Sequence, residues 1–212
     1  MSGKFVHKTG YQNLEVQHAS AVGMPLSMKL LPEYMQDLGY RTYGFGKWNI
    51  GHCSAKYLPQ ERGFNYWLGY NCPGHGYTTF HCGMDAQIRD MFVGENWGDE
   101  DAEDQVVSGT FRPAKEFVGT YDTEIYTVES IKFLRSHTSK FPGQPVFMWI
   151  AQHGAHGFTD QDPTPPSEML TSENKAALED LRDKVETGDV YAPRLVTASV
   201  LMGVDQSLRR LV

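Results

Sequence analysis

Apolar residues recur at helical spacing in four segments of the chain and form two short runs of strand length. The helical segments are MKLLPEYMQDLGY, YDTEIYTVESIKFLRSHTS, SENKAALEDLRDKVE and YAPRLVTASVLMGVDQSLRRLV. Each of the first two is followed by a strand-like run, RTYGFG or PVFMWIAQ, and then by a polar loop. This repeated order of helix, strand and loop is typical of a parallel α/β fold.

The pattern also predicts the ends of some elements. Gly39 is expected to stop the first helix, Asp122 or Thr123 to cap the second, and Ser172 to cap the third. The uninterrupted apolar run PVFMWIAQ predicts a strand that is buried on both faces. Residues 47–121, rich in Gly, Pro, aromatic and acidic residues, predict loops with short strands.

Length and charge narrow the class of protein. The 212 residues suit one domain or a large part of a bigger one, and 40% of them are hydrophobic. A formal charge of −7 argues against a nucleic-acid partner, and an anionic substrate would need a local cationic site. Since no apolar run reaches ~18 residues, we expect no membrane span. The first ten residues lack the apolar core of a signal peptide, so the residues themselves indicate no compartment.

Two polar groups follow the predicted strands. Lys47 ends the run RTYGFGK, and His153 and His156 follow PVFMWIAQ. In α/β folds such positions line a functional crevice, where a cation and an imidazole can bind an anion. The alternatives are a lysine whose ammonium reaches solvent and two loop histidines satisfied by backbone groups. A metal site at the two histidines stays open, although the HExxH spacing of zinc proteases is absent.

Two further clusters contain side chains that can ligate a metal. The stretch CPGHGYTTFHC brings together Cys72, His75, His81 and Cys82, but its spacing fits neither a zinc ribbon nor a zinc finger. A loop tied by a disulfide, or one with free thiols, is favoured, and the third cysteine is Cys53. The acidic run at 95–104 lacks the glycine and glutamate positions of a calcium loop, which favours a solvated loop.

Several motifs in order resemble the sulfatase family, and most closely the arylsulfatase B type. LPEYMQDLGYRTYGFGKWNIG resembles the signature whose core reads G-Y-x-T-x-x-x-G-K-W-H-L-G, and LPQERGFNYWLGY resembles the segment after it. PVFMWIAQHGAHG resembles the strand that ends in the substrate-binding histidine of the family. MSGKFVHKTG and LMGVDQSLRRLV resemble two further family segments, so the similarity covers nearly the whole chain.

The resemblance implies a partial alkaline-phosphatase-like fold, a mixed sheet flanked by helices, and hydrolysis of a sulfate ester, either an aryl sulfate or a sulfated glycan. It implies that Lys47 and His156 contact the sulfate, with Asn49 as a further contact to the substrate. The two side chains should then converge on one tetrahedral oxyanion. The family also uses Ca²⁺ and a formylglycine nucleophile, and a lysosomal or secreted location is typical of it.

The sequence departs from the family pattern at one position and lacks three of its motifs. Asn49 stands where the signature has a histidine, and an amide cannot shuttle a proton at neutral pH. The C-x-P-S-R nucleophile motif is absent, and so are the Asp pair and the D-N-G motif that hold calcium. We therefore expect residues 1–212 to form a partial sulfatase catalytic domain that lacks the nucleophile and metal segments and turns over no substrate alone.

Three other interpretations remain open. The chain is a non-catalytic module that binds sulfate or a sulfated glycan, a phosphatase or phosphodiesterase of the same superfamily, or the product of an incomplete gene model. The GKWNIG stretch favours sulfate over phosphate, because in the resemblance this signature belongs to sulfatases.

Overall fold

A five-stranded mixed sheet forms the centre of the chain in a computed structural model that describes residues 1–12, 16, 20–82, 88–98, 109–156 and 163–211. The strands are β1 (Arg41–Lys47), β2 (Tyr66–Tyr70), β3 (Phe92–Glu95), β4 (Thr110–Pro113) and β5 (Val146–Ala151), in the spatial order β4-β3-β2-β1-β5. β1 pairs in parallel with both β2 and β5, whereas β3 is antiparallel to β2 and β4. The prediction of an α/β fold with a mixed sheet and flanking helices is confirmed.

All four helical segments form helices. They are α1 (Leu31–Asp37), α2 (Asp122–Lys140), α3 (Ser172–Glu186) and α4 (Pro193–Leu211). Gly39, with a φ of +82°, follows the end of α1 as predicted. The two predicted caps are wrong. Tyr121 occupies the N-cap of α2 because the Asp122 carboxylate points into the protein, and Thr171 caps α3 by accepting a hydrogen bond from the Asn174 amide at 3.1 Å.

The sheet separates two aromatic clusters, because side chains alternate between its faces along each strand. On one face, Tyr43 and Phe45 pack against Phe133 of α2, with ring centroids 5.0 and 6.0 Å apart. On the other face, Trp67 packs against Phe64 and Trp48, with centroids 5.2 and 5.3 Å apart. Both clusters hold β1 and β2, whose carboxyl ends carry the candidate site.

The prediction that β5 is buried on both faces is wrong. All six of its residues are only partly buried, because β5 lies at the end of the sheet and pairs with β1 alone among the described residues. Its side chains still alternate as a strand requires, with Met148 and Ile150 on the α2 side and Phe147 and Trp149 on the other. Within the described ranges, no helix is both long and apolar enough to cross a bilayer.

β1 and β5 approach closely where Gly46 lies opposite Ala151. Gly46 has a φ of +95°, in the region that favours glycine, and a Cβ at this position would lie 1.9 Å from the Ala151 carbonyl oxygen. Because Lys47 follows directly, the direction in which its side chain leaves the sheet depends on this glycine.

We expect Gly46→Ala to lower the free energy of unfolding by about 3 kcal/mol or more, because a positive φ and a backbone clash add together. Gly119→Ala is the matched control, since Gly119 has a φ of +94° but a methyl group added to it would meet no atom within 4 Å. The control should cost only about 1–2 kcal/mol. Urea unfolding of both variants measures the difference, and equal losses would contradict the role given to the Ala151 contact.

Candidate functional site

The candidate site lies at the edge of the sheet where β1, β2 and β5 have their carboxyl ends. Because these strands are parallel, the loops that follow them emerge together. Lys47 is the last residue of β1, residues 71–74 follow β2, and residues 152–156 follow β5. Since β1 lies between the other two strands, Lys47 emerges between the two loops.

Lys47 and His156 both contact the loop that follows β2. The Lys47 ammonium donates a hydrogen bond to the Pro73 carbonyl oxygen. At the next residue, a Cβ placed on Gly74 would lie 3.1 Å from Cε1 of His156, so the imidazole lies directly over this glycine. Both side chains are half-buried, and they contact consecutive residues of one loop rather than opposite sides of the molecule.

Asn49 is held by the backbone. In the amide orientation that satisfies both of its side-chain atoms, Nδ2 donates to the carbonyl oxygens of Val16 at 2.7 Å and Asn71 at 3.3 Å. Asn49 has a φ of +41°, which an asparagine tolerates better than most residues. An amide nitrogen has two hydrogens, and in this arrangement each of them is donated to one of these two carbonyl oxygens.

Behind the site lies a buried network that joins two histidines through one carboxylate. Oδ2 of Asp122, the first residue of α2, is 2.7 Å from Nδ1 of His153 and 3.1 Å from Nε2 of His75. Nδ1 of His75 lies 2.9 Å from the Asp90 carbonyl oxygen. Both nitrogens of His75 thus face oxygen atoms, and these two contacts fix the orientation of the ring.

The pKa values in this network follow from burial and hydrogen bonding. Burial alone would raise the pKa of Asp122, but hydrogen bonds from His153 and His75 outweigh it, and the pKa lies below its ordinary value. Burial lowers the pKa of His153, although its bond to Asp122 opposes that effect. The lowered pKa of Asp122 and the lowered pKa of His153 agree with an ionised Asp122 that accepts a hydrogen bond from a neutral His153.

This network holds the segment that carries His156. The Tyr77 ring stacks on His153 with centroids 4.1 Å apart, and the Tyr77 hydroxyl donates to the His156 carbonyl oxygen at 3.0 Å. The His156 amide donates to the His153 carbonyl oxygen, also at 3.0 Å. Nε2 of His153 is buried and has no hydrogen-bond partner among the described residues. The position of His156 therefore depends on His153, which in turn depends on Asp122.

Two groups of buried side chains bring metal-ligating atoms within 4.8 Å of one another: Cys72, Cys82 and Asp90, and His75, Asp122 and His153. Each group contains a single carboxylate, whereas Ca²⁺ takes six to eight oxygen ligands. Neither group therefore fits the calcium ion that the resemblance implies. The acidic run at 95–104 begins in β3 with Glu95, but its residues from Asp99 onward lie outside the described part of the chain.

Comparison with solved structures identifies the fold. Ps i-CgsB, crystallised in complex with k-i-k-neocarrahexaose, matches all of this chain over 42% of its own, with a TM-score of 0.68 and 21% identity. PsFucS1 sulfatase from Pseudoalteromonas sp. matches 98% of this chain over 39% of its own, with a TM-score of 0.54 and 17% identity. The chain thus has the α/β architecture of the alkaline-phosphatase-like enzymes.

Sequence comparison identifies the family. A family model described as Sulfatase matches residues 1–212, and the chain belongs to the sulfatase family, whose members are sulfuric ester hydrolases. Arylsulfatase J of Mus musculus is 26% identical over 161 residues, which cover 74% of this chain but only 23% of that protein. N-acetylgalactosamine-6-sulfatase of Homo sapiens is 41% identical over 51 residues, 24% of this chain and 10% of that protein. The chain thus spans less than a quarter of these curated relatives, and the arylsulfatase B type in particular stays a prediction.

Sequence reasoning singles out His75 and His153 but misses that Asp122 joins them. On sequence alone, His75 is a candidate zinc ligand beside Cys72 and Cys82, and Asp122 is a candidate helix cap. In the structure Nε2 of His75 instead contacts Asp122 at the start of α2. No spacing signal could have shown this link, because the three residues come from separate loops and a helix start.

We expect Asp122→Asn to lower the free energy of unfolding by about 2–3 kcal/mol at pH 7, because it replaces the charged acceptor of two buried hydrogen bonds with a neutral one. Since the folded pKa of Asp122 is depressed, its stabilising contribution is complete above the unfolded value of about 3.9 and disappears as the pH falls through the folded value. The loss should therefore be constant from pH 7 to about 5 and shrink below about 3.9. Urea unfolding across this range measures it.

Asp180→Asn is the control for this prediction. Asp180 is an exposed residue of α3 that pairs with Lys184 at 2.6 Å. Because such surface pairs contribute little, this variant should unfold like the wild type. Equal stabilities of Asp122→Asn and Asp180→Asn at pH 7 would show that the buried carboxylate is not needed.

Proposed function

We propose that this chain supplies the sulfate-binding half of a sulfuric ester hydrolase, with Lys47 and His156 holding one sulfate group between them. The observation that carries the proposal is their contact with consecutive residues, Pro73 and Gly74, at the carboxyl edge of the sheet. The sulfatase family match over the whole chain supports sulfate as the anion.

Each proposed contact has a distinct chemical part. The ammonium of Lys47 places a fixed positive charge against the sulfate oxygens and stabilises the charge that develops on the leaving oxygen. The imidazole of His156 donates a hydrogen bond to a second oxygen and so orients the tetrahedral group. The backbone contacts of Asn49 leave these two residues as the donors on which the proposal depends.

Among sulfate esters we favour a sulfated sugar over an aryl sulfate. One curated relative is named for a sulfated sugar, N-acetylgalactosamine 6-sulfate, and a structural relative was crystallised with a neocarrahexaose. These names concern those proteins, and they support the class of substrate rather than a particular sugar. Both Lys47 and His156 are half-buried, which suits a group presented at a surface.

We further propose that these 212 residues do not hydrolyse the ester alone. None of the three cysteines lies in a C-x-P-S-R context, so none matches the residue that the family converts to formylglycine. The family also uses calcium, which would supply positive charge beside the sulfate, but the two ligand groups described above do not fit this ion. In this proposal Lys47 and His156 bind and orient the sulfate.

Binding is tested by titrating N-acetylgalactosamine 6-sulfate into the purified chain in a calorimeter. Lys47→Ala and His156→Ala should each weaken binding about tenfold or more, because each removes a hydrogen bond to a charged group. Added salt should weaken the binding of the wild type, because the half-buried ammonium is partly screened. Lys56→Ala removes the same charge from an exposed position and should bind like the wild type.

Two results would overturn this assignment. Wild-type affinity in both Lys47→Ala and His156→Ala, with both variants folded, would place the sulfate elsewhere. Tighter binding of the corresponding 6-phosphate than of the 6-sulfate would instead favour a phosphatase or phosphodiesterase.

Hydrolysis is tested separately with 4-nitrophenyl sulfate, with and without added Ca²⁺, by following the released nitrophenolate. We expect no release above the uncatalysed rate. Turnover by the wild type that is lost in Lys47→Ala would show that the chain carries its own nucleophile, and would leave the sulfate-binding roles intact.

A further inference from the structure

Two buried cysteines meet beside the candidate site. Cys72 lies two residues after β2, and Cys82 lies in the loop that follows. Their sulfur atoms lie within 4.8 Å of each other. Each residue is only 2% exposed. Nine residues separate them in sequence, so their proximity arises from the folding of the intervening loop rather than from a regular element.

Backbone hydrogen bonds fix both ends of this loop. The Cys72 amide donates to the Asp90 carboxylate at 2.6 Å, and the Cys82 amide donates to the Ile88 carbonyl oxygen at 2.9 Å. His75 and Cys82 form an isolated antiparallel bridge, and the Gly76 amide donates to the His81 carbonyl oxygen at 3.0 Å. These backbone contacts bring the two thiols together, and the Cys72 thiol also donates a hydrogen bond to the Gly74 carbonyl oxygen at 3.0 Å.

The surroundings favour a bond between the sulfurs over a metal ion. The remaining ligand candidate, the Asp90 carboxylate, already accepts hydrogen bonds from the backbone amides of Asn71 and Cys72. Two thiolates without a third free ligand make a poor zinc site, since structural zinc takes four. Cys53 is exposed, its thiol donates to the Val22 carbonyl oxygen at 3.7 Å, and it is not part of this group of ligand atoms.

We propose that Cys72 and Cys82 form an intramolecular disulfide when the chain folds in the presence of a small-molecule disulfide such as oxidised glutathione, and that Cys53 stays reduced. The Cys72 thiolate attacks a sulfur of the oxidant and releases one thiolate of the small molecule. The Cys82 thiolate then attacks the Cys72 sulfur of the mixed disulfide and releases the second. The protein loses two electrons, the oxidant becomes two thiols, and the two protons pass to the released thiolates.

The bridge forms during folding, because the folded protein shields both sulfurs. The contact with Cys82, together with burial, raises the pKa of the Cys72 thiol, so little thiolate is present in the native state. The bridge would close the segment that carries Pro73 and Gly74, the residues that contact Lys47 and His156. Its effect on sulfate binding rests on the proposed function, whereas the bridge itself does not.

The experiment refolds the full chain in a glutathione redox buffer, alkylates the thiols after denaturation, and maps the peptides by mass spectrometry. We expect a Cys72–Cys82 linked peptide, with Cys53 alkylated as the one free thiol. Cys53→Ser should then have no free thiol and Cys72→Ser should have two. Closing this loop should raise the melting temperature of the oxidised protein by roughly 5 °C or more over the reduced protein.

Three results would overturn the proposal, and the wild type alone can give each of them if Cys72→Ser does not fold. The first is alkylation of both Cys72 and Cys82 in a refolded protein that unfolds cooperatively. The second is a major disulfide that contains Cys53. The third is protection of both thiols from oxidation by an equimolar zinc ion. A confirmed bridge without sulfate binding would leave this inference standing and reject the proposed function instead.

Discussion

Parallel pairing of β1 with β2 on one side and β5 on the other brings three carboxyl ends to one edge of the sheet. The side chain at the end of the middle strand, Lys47, then lies between the loops of its two neighbours. The close approach of Gly46 to the Ala151 carbonyl makes this pairing tight, since a methyl group there has no space. Each proposed sulfate contact depends on that geometry, because Lys47 comes from β1, its carbonyl partner from the loop after β2, and His156 from the loop after β5.

Behind that edge, the protein buries a carboxylate where its charge is compensated from several directions. Asp122 begins the 19-residue helix α2, and the partial positive charge of a helix N-terminus favours a carboxylate. The same carboxylate accepts from His75 and His153, while the Asp122 amide donates to the Tyr77 carbonyl oxygen at 2.9 Å. The start of α2 thereby joins the loop after β2 to the loop after β5. A network of this kind restricts the positions of His153 and, through the backbone, of His156.

The sequence predicted the helices, the two longer strands and the edge of the sheet that carries Lys47 and His156, because local periodicity and strand order are encoded in neighbouring residues. It failed where tertiary contacts decide. Asp122 is a residue type that often caps a helix, yet its carboxylate instead lies within hydrogen-bond distance of two histidines from other loops. PVFMWIAQ has the composition of a fully buried strand, yet its burial depends on what pairs beyond it. The role of Asn49 was predicted from a motif, whereas its amide contacts depend on the carbonyls of Val16 and Asn71, which no motif contains.

The overall charge of −7 would oppose an anion site only if the nearest carboxylates acted as free charges. Asp122 lies within hydrogen-bond distance of His75 and His153, and Asp90 accepts hydrogen bonds from two backbone amides. Both carboxylates are buried, and both are engaged with donors other than Lys47. An anion beside Lys47 therefore meets less repulsion than the overall charge indicates, and a singly charged anion meets less than a doubly charged one. A sulfate ester carries one negative charge at neutral pH, whereas a phosphate monoester carries about 1.5–2. The matching of the buried carboxylates thus reduces the repulsion for sulfate and phosphate esters alike, and an anion site is compatible with a chain that is acidic overall.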